Sequence, residues 1–176
     1  MEERLREVAA RMEGRVLQCA TRWNEWEEST RVRVMGLVVS APTGVLLAIA
    51  AWLSPSPDGF GTHRQLGLAG CAVMTLSGWP CPMCGMTTTF ALMAEGRILD
   101  ALYNQPFGVV LYAMTFVAAI VGILDLLTGR GLLPAWGRGL YPWERPVAAG
   151  LVIGLFGGWL WKSAVLHPAV FGWPAD

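Results

Sequence analysis

Trp79-Pro80-Cys81-Pro82-Met83-Cys84-Gly85 interrupts thirty residues, Gln65 to Ala94, that contain no Asp, Glu, Lys or Arg. Such a length of uncharged chain belongs in a bilayer, where about twenty apolar residues cross as one helix. Two prolines and a glycine around a Cys-x-x-Cys pair cannot lie inside one continuous helix. Residues 64–95 therefore read as a helix–loop–helix that dips into the membrane, turns at the cysteines and leaves on the side it entered. Leu66–Thr75 and Met86–Ala94 are its expected short helices. The turn between them must be covered by protein or open to water, because unpaired backbone is costly against lipid.

Composition agrees. Apolar residues make up 54% and charged residues 15% of the 176, and the mean hydropathy is +0.45. Formal charge is zero, which leaves no electrostatic footprint for nucleic acid. Two clean spans flank the interrupted stretch. Val34–Leu53 is uncharged and, at twenty residues, about 30 Å long as a helix. Residues 106–127 open with Pro106, where the missing N–H is harmless, and the apolar run closes at Asp125, expected to be exposed. A third span is expected over 147–166, with Lys162 snorkelling to a headgroup.

Orientation follows from arginine. Arg22, Arg31 and Arg33 precede the first span, and Arg130, Arg138 and Arg145 lie between the second and third. With three spans these segments share the cytoplasmic side, which places the N-terminus inside and the tail 167–176 outside a bacterial cytoplasmic membrane. A complete fourth crossing would put the three-arginine loop, 128–146, outside. The charged first thirty-three residues do not read as a secretory signal, so the first span is expected to be an uncleaved anchor. Within 1–33, Leu5, Val8, Met12, Val16, Cys19, Trp23 and Trp26 recur at helical spacing. They predict a cytoplasmic amphipathic helix that rests on headgroups or docks a partner or second copy.

Four roles are open to the cysteines. Cys81 and Cys84 could form a disulfide, act as a redox pair, or pack as small apolar residues in a tight turn. With Cys71 they could also bind a soft metal such as zinc, using His63 or another chain for a fourth ligand. No His follows the pair, so covalent haem is not expected. His63 and His167 are otherwise loop residues. Glu95, Arg97 and Asp100 form a solvated rim around an interfacial helix over 97–104. Gly150, Gly154 and Gly158 allow close helix approach, within the chain or between copies.

The segment Leu76-Ser77-Gly78-Trp79-Pro80-Cys81-Pro82-Met83-Cys84-Gly85-Met86-Thr87-Thr88, with Cys71 upstream, resembles the signature of small bacterial membrane proteins in the DUF2752 family. Gly96-Arg97, Ala101 and Pro106-Phe107-Gly108 are also similar to its pattern. Thr88 stands where many members carry arginine, and Gln105-Pro106 where Asn-Pro is frequent. The resemblance spans roughly 66–127 and implies a membrane location and a cysteine-bearing turn, with no activity attached. The expected fold is thus all-α and polytopic: three spans, a re-entrant cysteine hairpin and an N-terminal amphipathic helix. The expected function is a small accessory or scaffold subunit with a structural cysteine turn. A membrane thiol–disulfide oxidoreductase using Cys81 and Cys84, or a metal-handling protein, are the alternatives.

Overall fold

The structure, a computed structural model, describes the backbone of residues 2–167 and 170, and the side chains of Met12, 27–167 and 170. Among these residues it is all-helical, and three segments are long and apolar enough to cross a membrane: Glu27–Trp52, Pro106–Thr128 and Leu132–Leu166. The chain is an all-α polytopic membrane protein.

Helix α1 (Glu2–Trp52) runs without a break through residue 33, where the sequence suggested a boundary between two helices. It also absorbs Pro42, which removes the N–H that would serve the carbonyl of residue 38. The next residue, Thr43, donates its hydroxyl to Val39 O at 2.6 Å. The amphipathic stripe Leu5–Trp26, including Cys19, lies outside the described side chains apart from exposed Met12.

Helix α5 (Pro106–Thr128) is the second span and packs antiparallel on α1. The crossing depends on glycine. A Cβ on Gly36 would sit 2.6 Å from Gly122 O, and one on Gly122 would be 3.0 Å from Gly36 O. Small residues that let backbones touch replace the hydrophobic drive that lipid removes. Farther along, Gly129 of the α5 terminus meets Ser29 of α1. Because the two helices run in opposite directions, residues 53–105 begin and end at the same end of the pair.

Short elements fill that end: a 3₁₀ turn (Thr62–Leu66), α2 (Ala72–Ser77), α3 (Met86–Ala94) and α4 (Ile98–Asn104). Gly96, at φ +75°, ends α3 with its N–H on Met93 O. Helix α3 nestles against α1 and α5: Thr88, Thr89, Phe90, Ala91 and Leu92 are buried, and Phe90 meets Tyr112 edge-on at 5.3 Å. Neither α2 nor α3 is long enough to cross a bilayer.

At the opposite end, α6 (Leu132–Leu140), a 3₁₀ turn (Tyr141–Trp143) and α7 (Glu144–Leu166) follow. Asp125, expected to be exposed, is 0% exposed. Its two carboxylate oxygens accept the Leu132 and Leu133 N–H groups, each at 2.7 Å. Those amides open α6 and have no partner within the helix, so a carboxylate there satisfies both the hydrogen bonds and the helix dipole. Gly154 and Gly158 face Phe107 of the same chain, where added Cβ atoms would fall 2.6 and 2.9 Å from its side chain; nothing lies within 4 Å of Gly150. Intramolecular packing therefore accounts for two of the three glycines.

Candidate functional site: a latched cysteine cap

The turn between α2 and α3 is held by its carbonyls. Gly78 O accepts from His167 Nε2 at 3.1 Å, and Pro80 O from Trp159 Nε1 at 2.7 Å. Pro82 O accepts from Gln105 Nε2 at 3.3 Å, and Gly85 O from Asn104 Nδ2 at 3.1 Å. His167 also lies against Trp79, with ring centroids 4.6 Å apart. The prolines make this necessary: they cannot donate, and a turn this irregular cannot satisfy its acceptors by itself. Protein side chains thus satisfy the turn's carbonyls, while Trp79 and Met83 remain exposed.

Lys162 joins the parts. It does not reach outward to a headgroup but is 2% exposed, donating from Nζ to Gly59 O at 2.9 Å and Asn104 Oδ1 at 2.6 Å. Asn104 then donates to Gly85 O and to Thr89 Oγ1 at 2.9 Å. The loop after α1, the cysteine turn, α3, α4 and α7 therefore meet around one ammonium group. Gly85 is required there: a Cβ at its φ of +85° would lie 2.8 Å from Gly59 O and 3.2 Å from the Lys162 side chain. A second bridge runs from Ser56 N to Thr62 Oγ1 at 3.0 Å, and Thr62 Oγ1 shares a 2.8 Å hydrogen bond with Thr88. Gln105 is fully buried, and its Oε1 has no protein partner.

Sequence reasoning missed Lys162, Asn104 and Gln105. A signal existed for the first. Lys162 is the sole lysine of the chain and sits within an apolar helix, where an ionisable residue is a site by default rather than a snorkelling anchor.

All three cysteines of the region line one cleft of about 210 Å³, with Asp58, His63 and Arg64 on its other walls. None of the three is bridged. Cys71 and Cys81, ten residues apart, lie close enough in this cleft for each to perturb the other's titration. The two respond in opposite senses. The Met74 amide, which faces the Cys71 sulfur without completing a hydrogen-bonded cap, holds that thiol below its usual value, aided by Cys81. Burial pushes Cys81 up, and the neighbouring Cys71 adds to the effect. Cys84 is 7% exposed and is pushed up to about 11, by burial first and then by Cys81. The cleft thus holds one thiol favoured as thiolate and two, Cys81 and Cys84, disfavoured.

The remaining expected ligands are otherwise employed. His63 Nε2 lies 3.2 Å from Ala69 O. Among the described residues, no three His, Cys, Asp or Glu side chains gather closely enough to hold a metal ion. Arg97 pairs with Asp100 at 2.8 Å and Glu95 at 3.4 Å, all three well exposed, as a solvated rim would be.

Residues 71–119 match the family model described as "Protein of unknown function (DUF2752)". The resemblance carried by the cysteine turn is thereby supported over a segment running from Cys71 to the middle of α5. No curated protein and no solved structure matches the chain. The DUF2752 segment contains the three cleft cysteines, Asn104 and Gln105; Lys162, Trp159 and His167, which latch it, lie outside the match.

Proposed function

We propose that this integral membrane protein performs thiol–disulfide exchange on the outer side of a bacterial cytoplasmic membrane, with Cys71 and Cys81 as the reacting pair. The observation that carries the reading is that these two thiols line one cleft with Asp58, His63 and Arg64, each perturbing the other's titration. Cys71 is the attacking thiol, since exchange proceeds through the thiolate. It attacks a disulfide of the partner and one partner sulfur leaves as a thiol. The Cys81 thiol then attacks the mixed disulfide at the Cys71 sulfur, forming the Cys71–Cys81 bond and releasing the second partner thiol. The reverse sequence oxidises a partner dithiol. Burial keeps Cys84 out of the exchange. The arginine distribution supports the placement outside, because it favours the start of α1 and the α5–α7 connection on the cytoplasmic side.

Differential alkylation followed by mass spectrometry tests this. Oxidation by a soluble disulfide closes Cys71–Cys81 and leaves Cys84 as a thiol, and Cys81→Ser retains the partner on Cys71. A Cys81–Cys84 bridge, or thiols that do not respond to redox challenge, refutes it.

The accessory-subunit reading has one observation of its own. Four carbonyls of the turn are fastened to three elements, which suits a rigid clasp displayed to another subunit. Native sizing after gentle extraction separates the two, since a lone monomer under every condition removes the subunit role.

A further inference from the structure

A second cavity adjoins the cysteine cleft. It is a groove of about 330 Å³ between α1, α3 and α5, lined by Leu46, Ile49, Met83, Met86, Thr87 and Phe90 among others. Met83 and Thr87 line both spaces, so one residue between the two cysteines of the turn, and one in the first turn of α3, form the shared wall. Two of the three bordering helices are long and apolar enough to cross a membrane, which suits entry to the groove from lipid, whereas Asp58, His63 and Arg64 suit the cleft to water. Its lining is apolar and aromatic, with two thioethers, the soft and adaptable surface that suits a flat conjugated ring. Thr87 supplies a hydroxyl on this wall, while the hydroxyls of Thr88 and Thr89 are committed to Thr62 and Asn104.

We propose that this groove binds a membrane quinone, which accepts the electrons released when Cys71 and Cys81 form their disulfide. The inference rests on the exchange reading above and names the second substrate of that site. A disulfide that oxidises partners is left as a dithiol and must be re-formed each cycle, and a lipid-soluble two-electron acceptor is what a groove on the lipid side can deliver. The step balances. The two thiols lose two protons and two electrons as the sulfur–sulfur bond forms, and the quinone takes up both electrons and two protons to become a quinol. Met83 and Thr87 place the ring beside the turn that carries Cys81, and Thr87 donates to a quinone carbonyl.

The test uses the full chain, purified in lipid nanodiscs, reduced, and given decyl-ubiquinone. The expected result is one quinol formed per chain, read by ultraviolet absorbance, together with loss of the Cys71 and Cys81 thiols and no reaction in Cys71→Ser. Leu111→Trp fills the groove from α5 and is expected to slow quinol formation about a hundredfold, as misplacing a reacting group does. The same variant should still exchange with oxidised glutathione, which approaches through the cleft and reports an intact fold. Exchange with glutathione but no quinol in the unaltered protein overturns the quinone site and leaves the thiol reading standing. Failure of both reactions overturns the thiol reading, and with it the inference. Quinol formation undiminished in Leu111→Trp, with exchange intact, removes the groove as the site.

Discussion

Replacing Lys162 by methionine tests whether one ammonium group holds the cap together. Methionine keeps an unbranched stem of similar reach and removes the charge and its donors. Lys162 makes two hydrogen bonds, to Gly59 O at 2.9 Å and to Asn104 Oδ1 at 2.6 Å. Bonds to a charged donor contribute about 1.5–3 kcal/mol each, and each acceptor left buried and unpaired costs about 1–3 kcal/mol. Against this, removing a buried ammonium recovers a desolvation penalty of several kcal/mol. The net expectation is a loss of about 3 kcal/mol in local stability, or roughly a hundredfold rise in the population of the open cap.

Cys84 is the built-in reporter. It is 7% exposed and adjoins Gly85, whose carbonyl is held by the same Asn104 that Lys162 holds. Its alkylation in the folded protein is limited by local opening, so the rate should rise about a hundredfold in Lys162→Met. Cys71, already accessible, should change little. Intact spans, checked by circular dichroism, would show that the effect is local. A Cys84 rate within about twofold of the unaltered protein, with helicity preserved, would refute the latch as an energetic unit.

Other expectations follow from the same geometry. In an iodoacetamide series against pH, Cys71 should reach half its maximal rate below pH 9.0 and Cys81 above it, since each rate tracks the thiolate fraction; an inverted order contradicts the assigned environments. Asp125→Asn keeps one acceptor and turns the other into a donor facing an amide, so thermal unfolding in detergent should show a loss of about 1.5–3 kcal/mol, and an unchanged midpoint would mean that α6 does not depend on that carboxylate. Gly36→Ala places a methyl group 2.6 Å from Gly122 O, and should destabilise the α1–α5 crossing by about 1–3 kcal/mol, whereas Gly44→Ala, with nothing within 4 Å, should not.

What the sequence disclosed depended on how local each signal was. Pro106 at a helix start fixed the beginning of α5 to the residue, and Met86–Ala94 was delimited by Gly85 before it and Gly96 after it. The uncharged run with its proline-rich interruption predicted two short helices around a turn, and the structure has them, although the first is Ala72–Ser77 rather than Leu66–Thr75 because Gly67 and Gly70 break the earlier stretch. Lys162–Gly59 and Trp159–Pro80 join residues 103 and 79 positions apart. No periodicity in one sequence announces such pairs. The setting of the cysteines was less legible: spacing singles out Cys81 and Cys84, while Cys71, ten residues earlier, lines the same cleft and Cys84 is the buried member. Asp125 was misjudged because its position at the end of an apolar run is also where a capping acceptor for the next helix would stand.

The two ends of the molecule follow one rule with opposite sign. At the cap, the carboxyl ends of α1 and α7 converge with two irregular segments, 53–61 and 78–85, and the surplus there is of carbonyl oxygens. The side chains that meet them are donors: Lys162, Asn104, Gln105, Trp159 and the Nε2–H of His167. At the other end the surplus is of N–H groups opening α6, and the buried side chain that meets them is Asp125, an acceptor. Where water is scarce, the backbone's own deficit dictates the sign of the buried charge. It follows that a carboxylate at position 162 would be worse than an apolar residue, because it would set an acceptor against acceptors. The cation in α7 is therefore accounted for without an anionic partner, and the neutral cleft thiols are free to serve chemistry rather than charge balance.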